Sequence, residues 1–117
     1  MGITYVQGRV KGPSKKQKTV KFLIDSGATY SLLPKKVWKA IGLKPKRKMS
    51  FTLADGTTVD KAISETYIVL PQDQAHTPVI LSEEDDQVLL GVVTLEILGL
   101  VLNPFDRTLN PMRMLLC

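Results

Sequence analysis

The segment TVKFLID, Thr19 to Asp25, constrains the fold most. Val20, Phe22 and Ile24 alternate with the period of a β-strand, and Leu23 adds an apolar side chain on the opposite face. A strand that is apolar on both faces is buried on both. It stops abruptly on a carboxylate and a Ser-Gly break. Two readings of Asp25 follow. Asp, Ser and Gly all favour turns for local reasons, so Asp25 caps a turn. Alternatively, an acid at the end of an apolar strand sits in a low-dielectric place that favours its neutral form, and it is placed there for chemistry.

The rest of the chain reads mainly as short strands. ITYVQGRV (Ile3–Val10) is β-rich and KGPSKKQK (Lys11–Lys18) is an exposed connection. In SLLPKKVWKAIGL, Pro34 suits a first helical position, Val37, Trp38 and Ile41 share one face, and Gly42 stops the helix. KPKRK (Lys44–Lys48) reads as a solvated basic loop. Met49 to Leu70 is hairpin material with the turn signal Asp55-Gly56, and TYIVL (Thr66–Leu70) and TPVIL (Thr77–Leu81) are further strands. A buried strand ends at VLLG, Gly91. TLEILG follows as a short helix with Thr94 as N-cap and Gly99 as stop, and LVLN, a PFDR turn and TLNPMRMLL close the chain. A strand ending in DSG and leading to a helix is echoed by one ending in LLG and leading to a helix. The expected fold class is all-β, a β-dominated barrel with one or two short helices, in a single domain over residues 1–117.

Composition removes several functions. Residues 1–61 carry 14 Lys and Arg against 3 Asp, and residues 62–117 carry 2 Arg against 8 acids. The basic half could attract an acidic partner, or the lysines are simply solvated around two halves that attract each other. Aromatics do not interleave with the lysines, so nucleic-acid binding is not expected. The apolar run Val88–Leu102 is 15 residues long and includes Glu96. That is short of the roughly 20 that span a bilayer, and it reads as buried with no membrane role. No secretory leader is read at the N-terminus, Gly2 lacks the acylation pattern, and the lone Cys117 suits a reducing compartment, so a cytoplasmic setting is expected.

Most catalytic sets are missing too. His76 lies in a polar loop, no Cys/His cluster supports zinc, SEEDD (Ser82–Asp86) lacks calcium-loop spacing, and no phosphate loop is present. Neither Ser26 nor Ser31 has a histidine close in sequence. No metal or cofactor is expected, and carboxylates remain, with Asp25 foremost.

FLIDSGAT, followed 65 residues after Asp25 by VLLG with TLADGTT between them, resembles the aspartic proteases of the retroviral type. The C-terminal region LLGVVTLEILGLVLNPFDRTLNP is similar to that of bacterial and archaeal single-domain members. The resemblance covers roughly Thr19 to Pro111 and implies a retropepsin-like acid protease barrel, one lobe of a symmetric homodimer. It implies an aspartic endopeptidase in which two Asp25 carboxylates, one from each chain, share a proton and activate water against an extended peptide. Ser26 matches the hydroxyl that stiffens the paired loops. Gly27 matches the glycine that lets substrate backbone approach, and Ala28 completes the motif. Ala54, Asp55, Gly56 and Thr57 match the tip of a substrate-clamping flap, and Leu89, Leu90 and Gly91 match the strand behind the catalytic loop. The pattern departs from the viral one at Thr29 and Tyr30, where acidic residues are usual, at the charged flap tip, and at Val92 and Val93, where an arginine and an asparagine support the viral dimer. The helix at PKKVWKAIG is extra. Two other readings compete: a non-catalytic peptide-binding or dimerisation module on the same fold, and a basic nucleic-acid-binding barrel.

Overall fold

A computed structural model describes residues 3–84, 87–103 and 105–113. Nine strands and two short helices follow in the order β1 (Tyr5–Lys11), β2 (Gln17–Ile24), β3 (Ser31–Leu33), α1 (Lys35–Ala40), β4 (Arg47–Thr52), β5 (Thr58–Val69), β6 (Gln74–Leu81), β7 (Leu89–Leu90), α2 (Val92–Ile97), β8 (Leu100–Asn103) and β9 (Thr108–Pro111).

The main sheet has the order β1-β2-β7-β3-β6-β5-β4, and a further pairing of β1 with β5 closes it. Six strands thus form a ring with β4 outside it, paired with β5. Closure covers the free edge of β1, which would otherwise expose unpaired backbone. The core fills the ring: Val10, Phe22, Leu33, Ile68 and Leu90 are all fully buried. Strand β2 buries Val20, Phe22 and Ile24 on one face, but its other face is not buried as expected: Thr19 and Lys21 are exposed and Leu23 is only partly covered.

Helix α1 plugs one side of the ring. Val37, Trp38 and Ile41 face inward, and the indole N–H of Trp38 donates to the Ser82 carbonyl at 2.7 Å. Pro34 is the extended residue before the helix rather than its first member. Gly42 ends it at φ +77°, where a left-handed residue lets the Leu43 N–H reach back to the Trp38 carbonyl at 2.9 Å.

Three readings change. The apolar run from Val88 divides into β7, α2 and β8 as its pattern suggests, but α2 starts two residues before Thr94, at Val92, with Leu90, Leu95, Leu98 and Leu100 turned to the core. Met49–Leu70 does form a hairpin, but β5 runs unbroken for 12 residues, because it must serve both β4 and the ring. Thr94 does not cap α2: Gly91 does, and Thr94 lies inside the helix, fully buried. Its hydroxyl finds partners across the core, which overrides its local preference for a cap. The turn after β8 spans 105–107, while Asp85, Asp86 and the residues after Arg113 lie outside the described residues. Among the described residues no helix is long and apolar enough to cross a membrane.

Candidate active site

Asp25 is delivered by a crossover. Strand β2 runs parallel to β7, with Leu23 opposite Leu89 and Ile24 opposite Leu90, and β3 flanks β7 on its other side through Leu32 and Leu89. Residues 25–30 must therefore arch over the end of β7. The Asp25 N–H continues the ladder to the Leu90 carbonyl at 3.0 Å.

Three sets of contacts hold the arch. The first is local: the Gly27 N–H donates to Asp25 Oδ1 at 2.9 Å, and the Ala28 N–H to the Asp25 carbonyl at 3.1 Å. The second comes from α2. A helix start leaves N–H groups without intrahelical partners. Here the Val92 N–H donates to the Ala28 carbonyl at 2.8 Å and the Val93 N–H to the Thr29 carbonyl at 2.9 Å. The turn reading of Asp25 is met, since its carboxylate closes a local turn with the Gly27 N–H.

The third set is a buried hydroxyl chain that the sequence reading missed. The Gly91 N–H donates to Ser31 Oγ at 3.0 Å, Ser31 Oγ lies 2.5 Å from Thr94 Oγ1, and Thr94 Oγ1 lies 2.8 Å from Thr77 Oγ1. It ties the exit of the arch to β6 and α2 in the core. Polar residues on otherwise apolar strands were its one available signal. Gly91 is where backbone presses on backbone: a Cβ there would lie 2.6 Å from the Tyr30 carbonyl carbon. Its neighbours Leu89 and Leu90 form β7 itself, with Leu90 fully buried.

Asp25 is half-buried and Ser26 and Gly27 are exposed, so the carboxylate stands at a surface. A Cβ on Gly27 would come to 3.3 Å from Asp25 Oδ1, crowding the acid. Beside Ser26, Val92, Leu95, Leu100, Val101 and Met112 line a hollow of about 310 Å³.

Ala54, Asp55, Gly56 and Thr57 are far from core packing. They form the tip of the β4–β5 hairpin, with Thr52 opposite Thr58. Gly56 has φ +89°, which a turn of this shape reserves for glycine. Asp55 Oδ1 accepts from the Thr57 N–H at 2.9 Å and from Thr57 Oγ1 at 2.6 Å. The Thr57 hydroxyl and then its N–H hold the Asp55 carboxyl below the usual carboxylate range. Behind the tip, the Tyr30 and Phe51 rings meet edge-on at 5.8 Å, joining the hairpin to the end of the arch. That contact was also missed, because no spacing rule links residues so far apart.

Among the described residues no group of three or more His, Cys, Asp or Glu is gathered in a way that could hold a metal. Residues 10–96 match the profile of the family described as "gag-polyprotein putative aspartyl protease". The chain belongs to that family, with a retropepsin-like β fold. It is similar in structure to EIAV protease solved with the inhibitor HBY-793, at TM-score 0.61 and 17% identity, over 84% of this chain and 89% of that one. It is also similar to the protease-reverse transcriptase of prototype foamy virus, at TM-score 0.53 and 16% identity, over 97% of this chain and 12% of the viral one. No curated protein matches it.

Proposed function

We propose that the protein is an aspartic endopeptidase whose active site is completed by a second copy of the chain, each copy supplying one Asp25. The observation that carries this reading is the arch: the main chain that bears a half-buried carboxylate is tied to β7 and to α2, more firmly than a turn residue needs. Family membership and the protease-type fold support it.

The chemistry follows from the pairing. Two carboxylates brought together cannot easily both ionise, so they share one proton. The ionised carboxylate takes a proton from water as the water oxygen attacks the peptide carbonyl. The protonated one donates to that carbonyl oxygen as the carbon becomes tetrahedral. Collapse passes a proton to the leaving nitrogen. Ser26 and Gly27 flank the acid, and the exposed Gly27 leaves room for substrate backbone. The tip at Ala54–Thr57 would close over an extended peptide.

The test is cleavage of a mixed peptide library from pH 3 to 8 beside Asp25→Asn, with oligomeric state measured by sedimentation. Expected are a bell-shaped pH profile, loss of cutting in Asp25→Asn, and activity that rises with dimer fraction. A wild type that never cuts more than the variant ends the protease reading and leaves a peptide-binding module on the same fold.

A further inference from the structure

A second hollow, of about 490 Å³, lies at the opposite end of the β1–β2 hairpin from Asp25. The eight residues of β2 separate the two ends, a distance of about 25 Å at roughly 3.3 Å per residue. The hollow opens at a break in the sheet. Strand β4 leaves β5 at Ile63, opposite Arg47, and β1 joins it only at Tyr67, opposite Lys11. Between them, Ser64, Glu65 and Thr66 have a strand neighbour on the β6 side alone.

The ladder's alternation decides which groups face the break. The Ile63 carbonyl accepts from the Lys46 N–H at 2.8 Å, so residue 63 turns its main chain toward β4. Glu65, two residues on, turns its N–H and C=O the same way, into the open stretch. Opposite it on β6 stands Pro78, which has no N–H to offer.

Ser64 lines the hollow, is 1% exposed, and its hydroxyl has no hydrogen-bond partner. A buried, unpaired hydroxyl in a native fold needs a reason. The rim is cationic: Lys11, Lys44 and Lys46 face a single carboxylate, Glu65, which Lys46 holds at 3.4 Å. Arg47 borders a smaller hollow that shares Ser64 and Lys46. Tyr67 supplies an aromatic wall, with the Lys11 ammonium 5.7 Å from its ring centre and His76 edge-on at 4.7 Å.

We propose that this hollow is a second binding site, for a short acidic segment of extended peptide. The open main chain of Glu65 pairs with the segment's backbone as an added strand would. The lysines meet its carboxylates, and Ser64 donates to an acceptor at the floor. The volume falls within the roughly 300–1,000 Å³ of ligand pockets. The site does not depend on catalysis at Asp25.

The test titrates Asp25→Asn protein, which cannot cut the probe, with a labelled, end-capped tetraglutamate peptide in low salt. Tetraglutamine, inorganic phosphate and a single-stranded oligonucleotide serve as competitors. Anisotropy reads affinity and amide NMR shifts read location. Expected is a preference for glutamate over glutamine of roughly tenfold, with shifts centred on Ser64–Tyr67 and Leu43–Lys46. The Lys44→Glu, Lys46→Glu double variant weakens binding roughly tenfold. Ser64→Ala weakens it about threefold or more while its melting midpoint holds or rises, because an unsatisfied hydroxyl is gone. A merely structural Ser64 would leave affinity unmoved. Equal binding of tetraglutamine, shifts confined to Lys15–Lys18 or to Asp25–Tyr30, or full displacement by equimolar phosphate or by the oligonucleotide each overturns the proposal. Binding with no peptidase activity in the wild type sinks the protease reading alone, and cutting without binding here sinks this one alone.

Discussion

The arch at residues 25–30 and the hairpin tip at residues 53–57 are both short loops that carry one carboxylate, and they are built in opposite ways. Asp55 is held only by Thr57, two residues away, and by the tip's own turn bonds. Asp25 sits in a loop tied to β7, to the first N–H groups of α2 and, through Ser31, to a core hydroxyl chain. The bonds of the tip stay within the tip, whereas those of the arch reach into the core. A protease of the proposed kind needs this division: fixed charge where bonds change, and freedom where substrate enters.

Substitutions can break the comparison, beginning with the largest effect. Asp25→Asn should lower peptidase activity by roughly 10³-fold, whereas Asp55→Asn should cost only a few-fold; parallel kinetics on one peptide decide it. Asn can still accept the Gly27 N–H, so the first variant should keep its fold. Next, Gly91→Ala drives a methyl into the Tyr30 backbone and should destabilise by about 2–3 kcal/mol, read by urea unfolding. Gly56→Ala, at the tip, meets no neighbour within 4 Å and is strained only by its φ of +89°, so it should cost about 1 kcal/mol.

Thr94→Val keeps the shape and breaks the hydroxyl chain between Ser31 and Thr77. It should cost about 1–2 kcal/mol and lower activity with it, although Thr94 touches no substrate. The smallest effect lies at the tip. Thr57→Val removes the hydroxyl that most lowers the Asp55 carboxyl. Its titration by carboxyl NMR should move up toward the ordinary range. Because the folded value is depressed, the contribution to stability is present above the ordinary carboxylate pKa and lost as pH falls through the folded one. Wild type and variant should therefore differ slightly at neutral pH and converge in acid.

Local pattern exposed one half of this design. Alternation at Val20, Phe22 and Ile24, the Asp55-Gly56 turn and the face shared by Val37, Trp38 and Ile41 are all short-range signals, and each element formed where they lie. Asp25 was legible for the same reason, as a charge interrupting an apolar run. What escaped was everything made at long range. Ser31, Thr77 and Thr94 look like ordinary polar residues until the fold brings them together, and Thr94 reads as a cap because helix propensity cannot know that Ser31 waits across the core. The gap beside Glu65 was equally hidden, since it arises where two other strands fail to meet.

The parallel pairing of Leu23 with Leu89 has a consequence for how the protein is made. During synthesis Asp25 leaves the ribosome well before the strand that positions it exists. Every bond from β7 and α2 to the arch waits until residues 89–93 have been made, and contacts of such separation form late and slowly. A nascent or truncated chain ending before Leu89 carries the acidic residue but no arch to hold it. The arch can therefore close only once β7 and the start of α2 have been made.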